Sequence, residues 1–257
     1  MQTKNLNKQK EDFEKSIKDL IEKGYAEFNI NLTKEDFIRC MEPMKQITAK
    51  NHGLTYCTDP EAEEHDRGLF YRSKNQGKDD KWCFHHYENI ENEFHKKFGE
   101  GVWNNDLLIL LNNSKKVHRE FQKKSSEIVK AIDSLMPEFG LYDLYINPMS
   151  QAFQVARFVA YDEAKERFTV AGRHFDQSFI TLQGYQSHSG LYLIDQQGKK
   201  IKLEYHEGKV WVFFGRKAPL LTGGKLTASE HGVNVFEKGI QRDAVPFFGH
   251  TYRPEIL

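Results

Sequence analysis

The sequence predicts an α+β fold in which a helical first part is laid against an antiparallel β core. Three observations predict it. Apolar residues recur at helical spacing in the first half of the chain. From about residue 151 onward the segments become short, rich in Val, Ile, Phe, Tyr and Thr, and separated by Gly, Asn or Asp. No repeat and no flexible linker divides the two parts. One unit spanning residues 1–257 is therefore expected, with residues 1–150 mainly helical and 151–257 forming the β core.

The elements follow in order. Phe13, Ile17, Leu20 and Ile21 make one apolar helical stripe, and Gly24 is placed to stop that helix. Tyr25 to Ile30 alternates as a short strand. Thr33 with Asp36 three residues later resembles a capping box, which opens a helix through about Ile47. Residues 49–80 read as irregular, punctuated by Gly53, Pro60, Gly68 and Gly77. Helices are expected again at about 82–98 and 113–136, the second ending before Pro137. The second half offers strands at Phe153–Tyr161, Phe179–Leu182, Gly190–Ile194, Lys200–Tyr205 and Lys209–Phe214, the spacing of an antiparallel sandwich or barrel.

Composition narrows the function. The chain has 257 residues, 39% hydrophobic and 29% charged, enough to bury a core without disulfide or metal staples. Lys plus Arg (37) equal Asp plus Glu (37), so there is no global electrostatic case for nucleic acid or an anionic membrane. Lys115, Lys116, Arg119, Lys123 and Lys124 gather on one helix, where a solvated face is the expectation. The longest apolar run, near Leu107–Leu111, is far short of the ~20 residues of a membrane span. The polar N-terminus lacks the apolar centre of a secretory signal. Cys40, Cys57 and Cys83 are odd in number and have no C-x-x-C spacing. A reduced, cytoplasmic protein is expected, with the oligomeric state open and a monomer the simpler case.

The chemistry concentrates in Arg173-His174-Phe175-Asp176. On a strand, residues i and i+2 share a face, so His174 and Asp176 can converge on one ion while Phe175 points away. His231 recurs downstream in Ser229-Glu230-His231-Gly232-Val233. Two histidines and one carboxylate form the facial triad that leaves positions open on Fe(II). A lone H-x-D is a weak signal, and an ordinary hydrogen-bonded His–Asp pair would explain it. Arg242 strengthens it. A turn at Glu237-Lys238-Gly239 would set His231 and Arg242 on adjacent strands, and a guanidinium fork binds a carboxylate bidentately. A metal with open sites beside a carboxylate-binding arginine suits an α-keto diacid. His85, His86 and His95, expected on a helix, lack a completing ligand set and are read as packed or solvated.

These residues resemble the Fe(II)/2-oxoglutarate-dependent oxygenases, in particular the branch that includes isopenicillin N synthase. His174-Phe175-Asp176 falls at that family's H-x-D, Ile180-Thr181-Leu182 at its Leu-Thr-Leu strand, and Gly190-Leu191-Tyr192-Leu193 at its Gly-Leu-Gln-Val. Val212-Phe213-Phe214-Gly215, Leu221-Thr222-Gly223-Gly224 and Ala228-Ser229-Glu230-His231-Gly232-Val233 fall at its later motifs in the same order, and Arg242 at its Arg-x-Ser arginine. More loosely, Lys23-Gly24-Tyr25-Ala26-Glu27-Phe28 and Asp79-Asp80-Lys81-Trp82-Cys83-Phe84 resemble its N-terminal stretches. Four positions depart from the pattern: Ala244 stands for the serine after the arginine, Ala160 for a tyrosine, Arg216 for an acidic residue and Gly232 for an arginine.

The resemblance implies a distorted double-stranded β-helix, or jelly-roll, wrapped by N-terminal helices. It implies His174, Asp176 and His231 as Fe(II) ligands, Arg242 and Tyr161 as 2-oxoglutarate contacts, and dioxygen as the other co-substrate. Hydroxylation of a small molecule is the default outcome, with desaturation or ring closure as variants and succinate as co-product. Substrate contacts are expected from Arg67, Phe70, Tyr71 and Arg72, whose cations suit a small acidic or polar molecule, and from Phe158, Tyr185 and Phe213. Two alternatives stay open: an isopenicillin N synthase-like oxidase that does not consume 2-oxoglutarate, and a catalytically silent ligand-binding jelly-roll.

Overall fold

The computed structural model describes residues 2–50, 56–57, 68–72, 81–99, 105–162, 168–236 and 239–252. The first helix, α1 (Gln2–Lys23), stops at Gly24, whose φ of 84° closes it with a bond from its N–H to the Leu20 carbonyl. Strand β1 (Tyr25–Asn29) follows. Helix α2 (Lys34–Lys50) opens with the expected reciprocal cap: Thr33 N–H donates to Asp36 Oδ2 at 3.0 Å and Asp36 N–H to Thr33 Oγ1 at 3.3 Å. Then come β2 (Tyr56–Cys57), β3 (Gly68–Arg72), β4 (Lys81–His86), α3 (Ile90–Phe98) and the long α4 (Asn105–Leu135). Short helices α5 (Leu141–Ile146) and α6 (Pro148–Gln151) lead into β5 (Val155–Tyr161), β6 (Phe168–His174), β7 (Ile180–Gln186), β8 (Leu191–Ile194), β9 (Lys200–Lys202) and β10 (Lys209–Phe214). Helix α7 (Lys217–Leu221), β11 (His231–Phe236) and β12 (Arg242–Gly249) complete the described chain.

Two antiparallel sheets face each other. The larger has the order β1-β10-β7-β12-β5-β4-β3-β2 and the smaller β6-β11-β8-β9. One face of the large sheet packs on the helices. There Phe121 of α4 stacks on Phe247 at 5.5 Å, and Phe37 of α2 stacks on Tyr185 at 5.5 Å. Helix α4 crosses so closely that a Cβ at Gly184 would lie 2.4 Å from the Phe121 ring, so β7 needs glycine there. The other face of the large sheet carries Cys83, Val159, Tyr161 and Phe213, which pack against Leu191, Leu193 and Val233 of the small sheet. That second, inter-sheet core is the interior of the jelly-roll.

Several expectations change. The stretch expected as a helix from about 82 is the strand β4 up to His86. Its Trp82 and Phe84 face the helix-side core while Cys83 faces the inter-sheet core, a period of two that a short apolar run does not reveal. Helix α4 starts earlier than expected, because Leu107, Leu110 and Leu111 are buried as its first apolar turns. The helical first part also supplies strands: β1 to β4 are half of the large sheet, and β2 and β3 lie in the stretch expected to be irregular. The β core therefore does not begin at residue 151. Lysines of the basic helix face pair with carboxylates: Lys115 with Glu91, Lys116 with Asp36 and Lys124 with Glu127. No helix among the described residues is long and apolar enough to cross a membrane.

Two histidines are sealed between α4 and the large sheet. His86 Nδ1 lies 2.8 Å from Ser114 Oγ, His118 Nε2 donates to the Gln154 carbonyl at 3.0 Å, and the two rings are 5.2 Å apart. Burial, reinforced by each other's charge, holds His86 well below its ordinary value, and burial drives His118 down to about 4 from 6.5. Both are neutral in the folded protein, whereas the unfolded chain takes up protons below 6.5. Their contribution is thus fully present above pH 6.5 and is lost as the pH falls toward 4. For His118 alone this amounts to about 3 kcal/mol. Urea midpoints measured between pH 7.5 and 4.5 are expected to fall through this window, less steeply in His118→Gln; a midpoint that does not move would refute it.

Candidate metal centre

The last residue of β6, His174, pairs directly across the strands with the first of β11, His231. Their rings lie 4.3 Å apart, and the far side of His231 meets Phe213 of the large sheet at 4.8 Å. Asp176 completes the group, although not as a strand neighbour of His174. It stands in the turn after β6, so the shared-face reading of H-x-D is replaced by a loop that returns the carboxylate to the histidines. Asp176 Oδ1 is 3.8 Å from His174 Nε2, and Oδ2 is 3.6 Å from His231 Nε2. One ligand atom from each residue lies within 4.8 Å of the others, the one such group among the described residues.

The surroundings prepare these atoms. His174 Nδ1 donates to the Gly172 carbonyl at 2.8 Å and His231 Nδ1 to the Ser229 carbonyl at 3.2 Å. A carbonyl can only accept, so in both rings the proton sits on Nδ1 and the Nε2 lone pair faces Asp176. Burial lowers the basicity of His231, opposed by the Asp176 charge. Thr181 of β7 donates its hydroxyl to Asp176 Oδ2 at 2.7 Å and is itself 2.9 Å from Ser178 Oγ. The Asp176 carbonyl accepts from Arg216 N–H at 2.8 Å. A Cβ on Gly215 would lie 2.2 Å from the Ser178 carbonyl and 2.8 Å from that of Asp176, so the loop closes only over glycine. On the solvent side Arg173 and Glu230, each one residue before a histidine, form a two-pronged ion pair that ties β6 to β11.

This donor set fits a divalent transition metal. Two imidazoles and one hydrogen-bonded carboxylate meet on one side of a point that octahedral coordination would leave open on the other. Ligand bonds of about 2.1 Å at right angles put neighbouring ligand atoms about 3 Å apart, which small side-chain rotations reach from the distances above.

Arg242 opens β12 and is buried in the inter-sheet interior, opposite Tyr161 of β5. Its Nη2 donates to Gln186 Oε1 at 3.1 Å, Gln186 Nε2 donates to the Leu203 carbonyl at 2.6 Å, and the guanidinium lies 5.6 Å from the Tyr161 ring centre. Burial lowers the Arg242 pKa, but an arginine stays charged. Ala244 faces the same interior from β12, two residues on, and Gln186 is its partner across the strands. The amide of Gln186 thus stands beside the position where a serine was expected. Ala160 packs in the helix-side core, so the tyrosine missing there is not missing from the interior. A Cβ at Gly232 would lie 2.7 Å from the Tyr192 hydroxyl, so a side chain there would have to displace the Tyr192 ring.

The substrate candidates divide by face. Phe70 and Phe213 belong to the inter-sheet cluster. Phe158 and Tyr185 do not: Phe158 packs on Phe84 at 5.9 Å and Tyr185 on Phe37, both toward the helices. Tyr71 is also on the other side from Phe70, exposed, and donates to Asp162 at 2.7 Å. Strand alternation separates these residues, a periodicity that the sequence reading did not assign to faces. Arg67 lies outside the described residues, and of Arg72 only the backbone, in β3, is described. Sequence reasoning missed Gln186, and Thr181 as a support for Asp176. It also set His85 on a helix, whereas His85 lies on β4 and accepts from Arg157 Nε at 2.7 Å. A groove of about 1090 Å³ between α1, β1 and α4 has charged residues as half of its lining and includes none of the triad.

Residues 150–251 match the sequence profile of the 2OG-Fe(II) oxygenase superfamily. Among curated proteins none matches by sequence. Solved structures share the fold. A Shewanella oneidensis protein assigned as an oxygenase superposes with a TM-score of 0.71 at 18% identity, over 93% of this chain and 86% of its own. A full-length Neurospora crassa protein, in complex with α-ketoglutarate and 5-formyluracil, gives 0.67 at 17% identity, over 94% and 78%. The Arabidopsis thaliana dioxygenase for auxin oxidation, in complex with 2-oxoglutarate, gives 0.65 at 14% identity, over 94% and 88%.

Loss of a carboxylate support weakens metal binding by about 10–100-fold. Thr181→Val is expected to do so for Co(II) measured by calorimetry, and Asp176→Ala to remove stoichiometric binding. Wild-type affinity in Thr181→Val would show that the hydroxyl does not orient the ligand.

Proposed function

Because residues 150–251 match the profile of the 2OG-Fe(II) oxygenase superfamily, we propose that the chain is an oxygenase of small molecules in which His174, Asp176 and His231 hold Fe(II) and Arg242 anchors 2-oxoglutarate. The observation that carries the reading is the pairing of a convergent two-histidine, one-carboxylate group with an arginine buried in the same inter-sheet interior. Fe(II), 2-oxoglutarate and dioxygen would together supply the oxidising chemistry, with hydroxylation of a C–H bond as the default outcome and succinate and CO₂ as co-products.

The chain's own residues do the rest. The three side chains would hold Fe(II) from one side. Each Nδ1 bond fixes the ring plane, and Thr181 fixes the carboxylate. Arg242 offers its fork to the distal carboxylate of the keto diacid, and Gln186 sets the plane of that fork. Tyr161 lies beside the same guanidinium. The apolar interior of Val159, Leu191, Leu193 and Phe213 excludes water from the reacting centre. Ligands such as 5-formyluracil in a protein of the same fold support a small molecule as the prime substrate.

Ala244 favours one other reading, an oxidase that dispenses with 2-oxoglutarate, because a hydroxyl for the distal carboxylate is absent from β12. The buried Arg242–Gln186 pair weighs against it, since burying a guanidinium is costly unless an anion is recognised there. Anaerobic titration of the Fe(II)-loaded protein with 2-oxoglutarate separates the two. A saturable visible charge-transfer band is expected, weakened about tenfold or more in Arg242→Ala, where a charge-assisted contact is lost. Succinate formation is expected to vanish in His174→Ala. Bound iron without a band would favour the oxidase, and absence of bound iron would overturn both.

A further inference from the structure

The residue after Arg242 is an aspartate, and it is held from outside the jelly-roll. Arg242 and Ala244 face the inter-sheet interior, so Asp243 between them faces the helices, as Val245 does two residues on. Asp243 is buried there. Its Oδ2 takes Nζ of Lys45, a half-buried residue of α2, at 2.5 Å. Its Oδ1 is buried with no hydrogen-bond partner among the described residues.

Both ends of this link are fixed. Ser187, which follows β7, donates its N–H to the Asp243 carbonyl at 3.0 Å and accepts the Asp243 N–H on Oγ at 2.9 Å. The residue before Ser187 is Gln186, which accepts from Arg242. On the helix side, Phe37, Cys40, Met41, Met44 and Ile47 bury one face of α2. Pro43 has no N–H to give the Arg39 carbonyl, and Asn113 Nδ2 of α4 donates to that carbonyl instead, at 3.1 Å. The Lys45 backbone thus has a set place, from which the ammonium reaches the sheet at Asp243.

Charge therefore alternates through the sheet, with Arg242 inside, Asp243 next to it in the chain and Lys45 outside. A negative charge beside a buried guanidinium steadies it, but it also competes with any anion that the guanidinium binds. Burial lowers the Arg242 pKa, opposed by Tyr161 and by the Asp243 charge. Lys45 offsets part of the competition by pairing with Asp243. We propose that the Lys45–Asp243 ion pair sets how strongly Arg242 holds the distal carboxylate of 2-oxoglutarate. The inference rests on the reading of Arg242 as the co-substrate anchor. Lys45 and Asp243 are positioning residues, since both act on the co-substrate through Arg242.

The test titrates 2-oxoglutarate by calorimetry into the full chain loaded with Mn(II), which is redox-silent. The wild type is expected to bind it saturably, and Arg242→Ala to weaken that binding about tenfold or more. Lys45→Met leaves the Asp243 charge uncompensated and is expected to weaken binding about threefold or more. Asp243→Asn removes the competing charge and is expected to strengthen binding by a similar factor. Lys45→Arg and the double variant Lys45→Met/Asp243→Asn are each expected within about twofold of the wild type. Mn(II) affinity and circular dichroism melts check that each variant keeps its metal centre and its fold. A link that merely supports β12 would weaken binding in Asp243→Asn as well as in Lys45→Met. That result, or wild-type affinity in either single variant, would overturn the proposal. A wild type that binds no 2-oxoglutarate, or binds it equally in Arg242→Ala, would overturn the anchor reading and the proposal with it.

Discussion

The closure of the Asp176 turn over Gly215 is the constraint on which the site depends. Asp176 leaves β6 and must bring a carboxylate back between two imidazoles that belong to neighbouring strands. The backbone at Gly215 passes so close to the Ser178 and Asp176 carbonyls that no side chain fits. That approach lets Arg216 N–H reach the Asp176 carbonyl and keeps Thr181 within hydrogen-bond distance of its carboxylate. The small sheet brings the histidines, the large sheet brings Thr181, and the turn joins them.

The two faces of the large sheet divide the labour. The helix-side face is a rigid backing, packed so tightly at Gly184 that α4 and β7 cannot separate without losing aromatic contacts. The inter-sheet face alternates with it residue by residue and holds Thr181, Gln186 and Arg242. A guanidinium in such an interior is costly unless its N–H groups find partners. Gln186 serves Arg242, and His85 serves Arg157. The two cations lie toward opposite ends of the strand pair β5 and β12.

Much of the site was legible in the linear sequence because its chemistry is carried by rare residue types at short spacing. His174, Asp176, His231 and Arg242 stand out in that way, and the turn glycines and the Thr33–Asp36 cap announce local structure by residue type alone. The element types around His85 were not legible. A short run such as Trp82-Cys83-Phe84-His85-His86 satisfies a helix and a strand equally, and only pairing with β5 selects the strand.

By itself, then, the sequence determined the ligand types, the order of the motifs, the α+β class and the helix stops, because these depend on side-chain chemistry and on local backbone preferences. Tertiary structure alone decided which face each residue took. It set Phe158 and Tyr185 toward the helices and Phe70 and Phe213 toward the inter-sheet core, moved Asp176 off its strand, and joined Gln186 to Arg242 and His85 to Arg157. The reason is that a strand has two faces of equal local merit, and only packing against a second layer makes them different.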